Sequence, residues 1–225
     1  MTVLYDDRGL KLDNTKEFLE KYENIGVLFS SGADSTFLIY WLARCIDELN
    51  LYDTHTILPI HAIDVSWPID TVEYVRPILE MIRGFFPKVT IFDQYNLPFE
   101  STTTPDFPTP KTVYYRPVRD RLEEGFCDIT ITGSTSAPLF EDIFLGYITV
   151  HRTPEIKKNQ IHEGLFITVD KKFLAYQYRK FDLMDNLYPL TKSCQWRGYS
   201  RKPCTGCFWC QEKYWAFGSY DGGVK

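Results

Sequence analysis

The sequence lacks the features of a membrane or secreted protein. No apolar run approaches the roughly 18–20 residues that a membrane-spanning helix needs. The first residues, MTVLYDDRGLKLDN, are polar and acidic, so the basic and apolar regions of a signal peptide are missing as well. Internal repeats and low-complexity tracts are also lacking. With 44% apolar and 24% charged residues, the composition is that of a folded domain. We therefore expect an intracellular, cytoplasmic protein with no membrane partner.

The sequence has no large excess of positive charge. Its net charge is −5, which argues against general coating of nucleic acid. The charge is unevenly distributed, because residues 1–150 hold 12 Lys and Arg against 23 Asp and Glu, whereas residues 151–225 hold 13 against 7. The basic C-terminal third is compatible with a solvated surface or with a local anionic partner, including a nucleic acid.

Apolar segments alternate between the patterns of strands and helices along the first two thirds of the chain. Compact apolar runs predict buried strands, and runs with apolar residues at helical spacing predict helices. The predicted strands are 25–29, 56–63, 89–92, 128–133 and 164–169, and the predicted helices are 14–24, 36–50, 72–86, 116–126 and 171–184. In the third helix Pro77 predicts either a kink or a helix start near that residue. Residues 93–112 predict a long loop. This alternation predicts an α/β fold with a doubly wound, mostly parallel sheet.

The turn after the first long strand carries small and hydroxylated residues. The segment VLFSSGADST (27–36) leads from a strand through a tight turn directly into a helix. Backbone N–H groups at the helix start, with the hydroxyls of Ser30, Ser35 and Thr36, would bind an anion. Asp34 favours a magnesium-bound pyrophosphate, since a carboxylate beside phosphates needs a divalent cation. The other interpretation is a capped strand–helix turn. There is no Gly-Lys-Ser/Thr sequence, which excludes a Walker loop at this turn.

Four of the six cysteines lie close together near the C-terminus. Cys194, Cys204, Cys207 and Cys210 have the spacing C-x9-C-x2-C-x2-C, whereas Cys45 and Cys127 stand alone in apolar surroundings. Four thiolates at this spacing predict a structural zinc site, with an iron–sulfur cluster as the competing interpretation.

The segment SSGADS (30–35) resembles the SGGxDS motif of the PP-loop ATP pyrophosphatases. Ser31 stands where the motif has its first glycine, a replacement that fits the motif if Ser31 keeps a negative φ. Combined with the C-terminal cysteines, Ser193-Cys194 and Ala216-Phe217, this loop resembles the 7-cyano-7-deazaguanine synthase family. Three weaker similarities lie between these motifs. The segment PVRD (117–120) is similar to the family's PGRN motif. Asp64 corresponds to an Asp that follows the family's second strand, and Gly133 corresponds to a glycine that ends one of its strands.

The resemblance implies a two-part chain and an ATP-dependent ligase. Residues 1–185 would form the nucleotide-binding domain and residues 186–225 a zinc module packed on it. The enzyme would adenylate the carboxylate of 7-carboxy-7-deazaguanine, or of a close analogue, and ammonia would displace AMP to give an amide and then the nitrile. Residues 65–67 and 134–144 differ from the family where the nucleobase is expected. The cofactors implied are ATP, Mg²⁺ and Zn²⁺, and a homodimer is compatible with the sequence.

The site residues that the resemblance implies form three groups. They are Ser30, Ser31, Gly32, Ala33, Asp34, Ser35, Thr36, Asp64 and Gly133 for nucleotide binding, Asp34, Arg119 and Lys192 for catalysis, and Cys194, Cys204, Cys207 and Cys210 for the metal.

Two other functions are compatible with these residues. A tRNA thiolase-like PP-loop enzyme would use the basic C-terminal third to bind its substrate and would carry an iron–sulfur cluster. A non-catalytic nucleotide-binding protein would use the zinc module as an interaction surface.

Overall fold

A computed structural model describes residues 2–64, 72–99, 125–136, 162–194 and 203–223. Eight strands and five α-helices lie in these ranges, numbered in chain order. The strands are β1 (Leu4–Tyr5), β2 (Lys11–Leu12), β3 (Asn24–Leu28), β4 (Thr56–Asp64), β5 (Thr90–Ile91), β6 (Tyr95–Phe99), β7 (Ile129–Thr132) and β8 (His162–Glu163). The helices are α1 (Thr15–Lys21), α2 (Ala33–Glu48), α3 (Val72–Phe85), α4 (Lys171–Lys180) and α5 (Phe208–Phe217).

A parallel sheet forms the centre of the fold. Its strand order is β5-β4-β3-β7-β8, and β6 pairs with the second half of β4 beyond β5. Each of these pairings is parallel. The strand order reverses at β3, because β4 and β5 lie on one side of it and β7 and β8 on the other. This is the order of a doubly wound sheet, in which ligands bind at the carboxyl ends of the strands beside the reversal. The predicted α/β fold is confirmed.

The central strand β3 is buried because its residues are apolar on both faces. Ile25 and Val27 have no exposed surface. Between them, Gly26 leaves room for the side chain of Thr130 in β7, since an added Cβ would lie 2.8 Å from Thr130 Cγ2. Runs of this kind are typical of parallel strands covered on both faces.

Helix α2 follows β3 directly and is buried along most of its length. It contacts α1, α3 and α4. The Trp41 indole N–H donates to Thr15 Oγ1 in α1 at 2.9 Å, and the Phe37 ring lies 5.4 Å from that of Tyr178 in α4. The neighbouring helices therefore fix the position of the α2 N-terminus at the end of β3.

Two sequence predictions differ from the structure, at residues 164–169 and 93–112. Residues 164–169 were predicted as a strand, but β8 ends at Glu163 and the chain then turns, with Val169 N–H donating to the Phe166 carbonyl at 3.1 Å. The apolar residues of this run are buried inside a turn, a case that apolar character alone cannot distinguish from a strand. The predicted loop 93–112 contains β6. The helix predicted over 72–86 is confirmed as α3, which begins at Val72 and contains Pro77, so the alternative of a start near Pro77 is wrong.

The structure does not describe residues 65–71, 100–124, 137–161 and 195–202, so Arg119 and most of the helix predicted over 116–126 lie outside the described residues. Within the described part of the chain, no helix combines the length and apolar character that a membrane crossing needs.

Candidate active site

The loop between β3 and α2 is closed by hydrogen bonds among its own small residues. Ser30 N–H donates to Ser35 Oγ at 3.3 Å, and Gly32 N–H lies 3.4 Å from Ser30 Oγ. Ser35 Oγ in turn donates to the Gly32 carbonyl at 3.3 Å. This arrangement gathers hydroxyls and amides at the N-terminus of a 16-residue helix. Helix N-termini leave N–H groups without intrahelical partners and favour anions, so the loop has the chemistry of a phosphate site.

Ser31 has a left-handed backbone, with φ of 58°. A negative φ was expected at Ser31, and this expectation is wrong. Ser31 is buried, and its carbonyl accepts the Lys192 N–H at 2.8 Å. The left-handed conformation is one that glycine adopts without a steric penalty, and glycine is the residue that the motif carries here.

Gly133 follows β7 and lies against the start of α2. A Cβ at this position would be 2.6 Å from Ser35 N and 2.7 Å from the Asp34 carbonyl carbon. Only a residue without a side chain allows this approach. The sheet thus brings Gly133 to the loop, and its role towards a ligand stays a prediction.

The neighbouring strand β4 supports the loop from the other side. Phe29 N–H donates to the Ile60 carbonyl at 2.8 Å, and the Phe29 carbonyl lies 2.7 Å from His61 Nδ1. Because a carbonyl only accepts, this His61 nitrogen carries the proton. His61 is buried and acts here as a support of the backbone. Asp64 is the last residue of β4, at the same edge of the sheet.

Asp34 is paired with a buried lysine from α4. Its Oδ2 lies 3.2 Å from Lys171 Nζ, and the same ammonium donates to Glu212 Oε2 in α5 at 2.6 Å. Lys171 and Glu212 are both buried, and the Asp34 side chain keeps 19% of its surface exposed. Burial disfavours the ammonium, but the two carboxylates outweigh this effect and raise the pKa of Lys171. The site therefore contains one cation between two carboxylates.

A second buried ion pair lies where the chain approaches the cysteines. Lys213 Nζ donates to Asp221 Oδ1 at 2.6 Å and to Thr191 Oγ1 at 2.7 Å. The Asp221 carboxylate also accepts the N–H groups of Ser193 at 2.9 Å and Cys194 at 2.7 Å. Burial lowers the pKa of Lys213, although Asp221 opposes this shift. These contacts fix residues 191–194 beside the loop.

Lys192, which was predicted to be catalytic, meets the loop through its backbone. Its side-chain Nζ lies 4.2 Å from the ring centre of Tyr74 in α3, a cation–π contact. The ammonium is held next to α3, while the backbone N–H binds Ser31.

The four predicted cysteine ligands come together at the start of α5. Their sulfur atoms all lie within 4.8 Å of one another, and Cys204 Sγ is 3.8 Å from Cys210 Sγ. A tetrahedral ion with metal–sulfur bonds of about 2.3 Å would place its sulfurs about 3.8 Å apart. The set thus fits a single tetrahedral ion. Cys45 and Cys127 are buried and lie outside this cluster.

Backbone N–H groups point at the cysteine sulfurs. Cys207 N–H lies 3.3 Å from Cys204 Sγ, and Cys204 N–H lies 3.4 Å from Cys194 Sγ. Burial opposes ionisation of Cys204, but hydrogen bonds to its sulfur from the backbone N–H groups of Cys207 and Gly206 and from the neighbouring thiols outweigh it and lower the pKa of the Cys204 thiol to about 7. Thiolates are the form that binds metals.

The sequence did not identify four charged residues of the site, namely Lys171, Glu212, Lys213 and Asp221. Lys171 belongs to a predicted helix, and Glu212 and Lys213 lie within the aromatic run FWCQEKYWAF (208–217). Charged residues inside a run of large apolar ones are a signal of buried pairs. That signal was available in the sequence.

Comparisons with known proteins give a distant structural likeness. No protein-family model matches the chain, and no curated protein matches its sequence. Among solved structures, it is similar to the U34-tRNA thiolase NcsA from Methanococcus maripaludis with its [4Fe-4S] cluster, with 11% identity and a TM-score of 0.44. The match covers 88% of this chain and 65% of the thiolase chain. A likeness at this level carries no argument about function.

Proposed function

We propose that the chain is a PP-loop ATP pyrophosphatase. It would bind Mg–ATP at residues 30–36 and convert 7-carboxy-7-deazaguanine, or a close analogue, into 7-cyano-7-deazaguanine by way of the amide. The observation that carries the proposal is the position of this loop. It joins the central strand β3 to α2 at the reversal of strand order and places Asp34 in the first turn of the helix. That position is where doubly wound sheets bind nucleotides.

The loop residues account for the binding of pyrophosphate. The hydroxyls of Ser30 and Ser35 and the N–H of Gly32 would contact its oxygens. Asp34 would be a ligand of Mg²⁺, an ion that prefers carboxylate, water and phosphate oxygens. When bound, Mg²⁺ would neutralise charge on the phosphates. Lys171 holds the Asp34 carboxylate in the loop.

The reaction that we propose needs positioning and charge stabilisation more than a protein nucleophile. The substrate carboxylate attacks the α-phosphate of ATP, giving an acyl-adenylate and pyrophosphate. Ammonia then attacks the acyl carbon, AMP leaves, and a proton is released to give the amide. In a second cycle the amide oxygen attacks another ATP, pyrophosphate leaves, and loss of AMP and of both N–H protons of the amide yields the nitrile. Arg119 would stabilise charge on the phosphates, and Lys192 would do so once its ammonium leaves the Tyr74 ring.

Zinc is the ion that we propose for the four cysteines. Close sulfur atoms suit one tetrahedral ion, whereas a cubane cluster binds each cysteine at a separate iron and needs a wider set. The ion would have a structural role and would hold residues 186–225 on the domain formed by residues 1–185. We place the enzyme in the cytoplasm.

Release of AMP and pyrophosphate from ATP tests the proposal. The assay contains 7-carboxy-7-deazaguanine and ammonium, each present or withheld, with products read by mass spectrometry. We expect AMP release that depends on the carboxylate, and a nitrile product. In Asp34→Ala, AMP release should fall at least about 10²–10³-fold, the usual cost of losing one charge-stabilising group. Asp47→Ala, at the other end of α2, is the matched control.

Three results would lead to other conclusions. An amide product alone would limit the reaction to one adenylation. A brown protein with visible absorbance would support the tRNA thiolase-like alternative, since zinc proteins are colourless. Failure to bind Mg–ATP would support the non-catalytic alternative and would contradict the proposal.

A further inference from the structure

Helix α5 carries a ligand of the cysteine cluster and reaches the proposed phosphate loop through the Lys171 side chain of α4. It begins directly after Cys207, its N-cap, and contains Cys210. Two residues further on, Glu212 reaches the Lys171 ammonium that pairs with Asp34. One short helix and the Lys171 side chain together therefore connect a metal ligand to the loop.

A second connection runs from the cluster through the segment before it. Cys194 donates its N–H to Asp221, which is held by Lys213 of α5. Two residues earlier, the Lys192 N–H binds the carbonyl of Ser31 in the loop. Both connections thus begin at predicted metal ligands and end on loop residues.

Burying the Glu212 carboxylate at this position costs free energy of folding. Its side chain is buried, and its Oε1 has no hydrogen-bond partner among the described residues. Replacement of a buried ion pair by apolar residues is often neutral or stabilising, so stability alone does not explain the carboxylate. Together with Asp34 it leaves a net charge of −1 around Lys171, which suits an incoming divalent cation.

We infer that Glu212 is a positioning residue that links the cysteine centre to Asp34 through Lys171, so that metal binding at the cysteines and Mg–nucleotide binding at the loop strengthen each other. This inference rests on the proposed function. With the ion bound, α5 is fixed at Cys210, Glu212 holds Lys171, and Lys171 orients the carboxylate that receives Mg²⁺. Such coupling is reciprocal, because each ligand must change the affinity of the other by the same factor.

Loss of Zn²⁺ to a chromogenic chelator tests the inference without catalysis. The full chain, loaded with Zn²⁺, is mixed with excess pyridylazoresorcinol, with or without Mg²⁺ and the non-hydrolysable analogue α,β-methylene-ATP. At equilibrium with the chelator, we expect the nucleotide to raise the affinity of the chain for Zn²⁺ at least about fivefold, the lower end of usual couplings, and so to reduce Zn²⁺ loss. By calorimetry, the analogue should bind more weakly to zinc-stripped protein by a similar factor.

Variants assign the coupling to Glu212. Glu212→Gln keeps the shape and removes the charge, and it should bind one Zn²⁺ whose loss no longer responds to the nucleotide. The double variant Lys171→Met/Glu212→Leu removes both charges of the buried pair, so neither is left buried without its partner. If the single variant does not fold, the double variant should give the same result. Glu48→Gln, an ion-paired glutamate in α2, is the matched control and should respond like the unmodified chain.

The outcomes separate this inference from the proposed function. If the nucleotide binds and Zn²⁺ loss does not respond, the inference is overturned and the proposed function stands. A full response in Glu212→Gln or in the double variant also overturns it. If no nucleotide binds to the zinc-loaded chain, both fail.

Discussion

At the scale of single residues, the missing side chain at Gly133 determines how closely the end of β7 approaches the loop. An added Cβ would meet backbone atoms of Asp34 and Ser35 at 2.6–2.8 Å, and backbone cannot turn aside as a flexible side chain can. The geometry of the loop therefore depends on a residue outside the loop.

Gly133→Ala should displace the start of α2. We expect the free energy of unfolding to fall by about 1–3 kcal/mol, as in other overpacked cores, and nucleotide binding to weaken. Chemical denaturation and calorimetry measure the two effects. The control is Gly84→Ala in α3, where an added Cβ meets nothing within 4 Å. That variant should be more stable by up to about 1 kcal/mol, and a loss equal to that of Gly133→Ala would contradict the explanation.

The sequence predicted the identity of the loop residues but not their conformation. The strand–helix junction at residues 30–35 was predicted because hydroxyls, a glycine and a carboxylate in that order are typical of an anion site. The helix begins at Ala33, three residues before its predicted start, so Asp34 and Ser35 belong to its first turn. The positive φ of Ser31 was not predicted, since a serine in this conformation depends on partners distant in sequence, such as Lys192.

At the scale of elements, the N-terminal hairpin β1–β2 holds the helix that carries Lys171. Arg8, between the two strands, makes two hydrogen bonds of 2.7 Å to Asp170, the N-cap of α4. Asp6 accepts a further bond from Arg8 at 2.8 Å. Burial opposes ionisation of Asp170, but Arg8 outweighs it and lowers the pKa of this carboxyl.

Arg8→Ala should loosen α4. We expect a loss of about 1 kcal/mol in the free energy of unfolding, because Arg8 is partly exposed and solvent screens the pair. The contribution of a carboxylate with a lowered pKa is complete above its unfolded pKa of about 4 and is lost as the pH falls through the folded value. The difference between the two proteins should therefore be constant at neutral pH and shrink below about pH 4. An equal difference at pH 3 would contradict the ion pair as its cause.

The sequence predicted the long buried elements well and the short ones poorly. Strand β3 and helices α2 and α3 lie within two or three residues of their predicted bounds, because their apolar patterns are long or are framed by turn residues. The hairpin β1–β2 and helix α5 were not predicted. In α5 aromatic residues occur on nearly every side, so no helical periodicity stands out, and the cysteines at its start suggested a metal site more than a helix.

At the scale of the whole molecule, the site joins residues separated by most of the chain. The loop at 30–36 lies in the acidic first two thirds, whereas Lys171, Lys192 and Glu212 lie in the basic last third. The sequence identified the loop and the cysteines as separate motifs. The resemblance implied a C-terminal module packed on the nucleotide-binding domain. The contacts that join the two motifs could not be predicted, because they depend on how α4 and α5 pack and on the buried ion pair between them.

The central claim is that the loop at 30–36 binds the phosphates of a nucleotide with Asp34 at the metal ion. Calorimetric titration of the zinc-loaded chain with α,β-methylene-ATP and Mg²⁺ tests it most directly. We expect one equivalent to bind, and Asp34→Asn to weaken binding at least about tenfold, or about 1.4 kcal/mol, while Asp47→Asn leaves it unchanged. No binding by the unmodified chain, or equal affinity in Asp34→Asn, would contradict the claim.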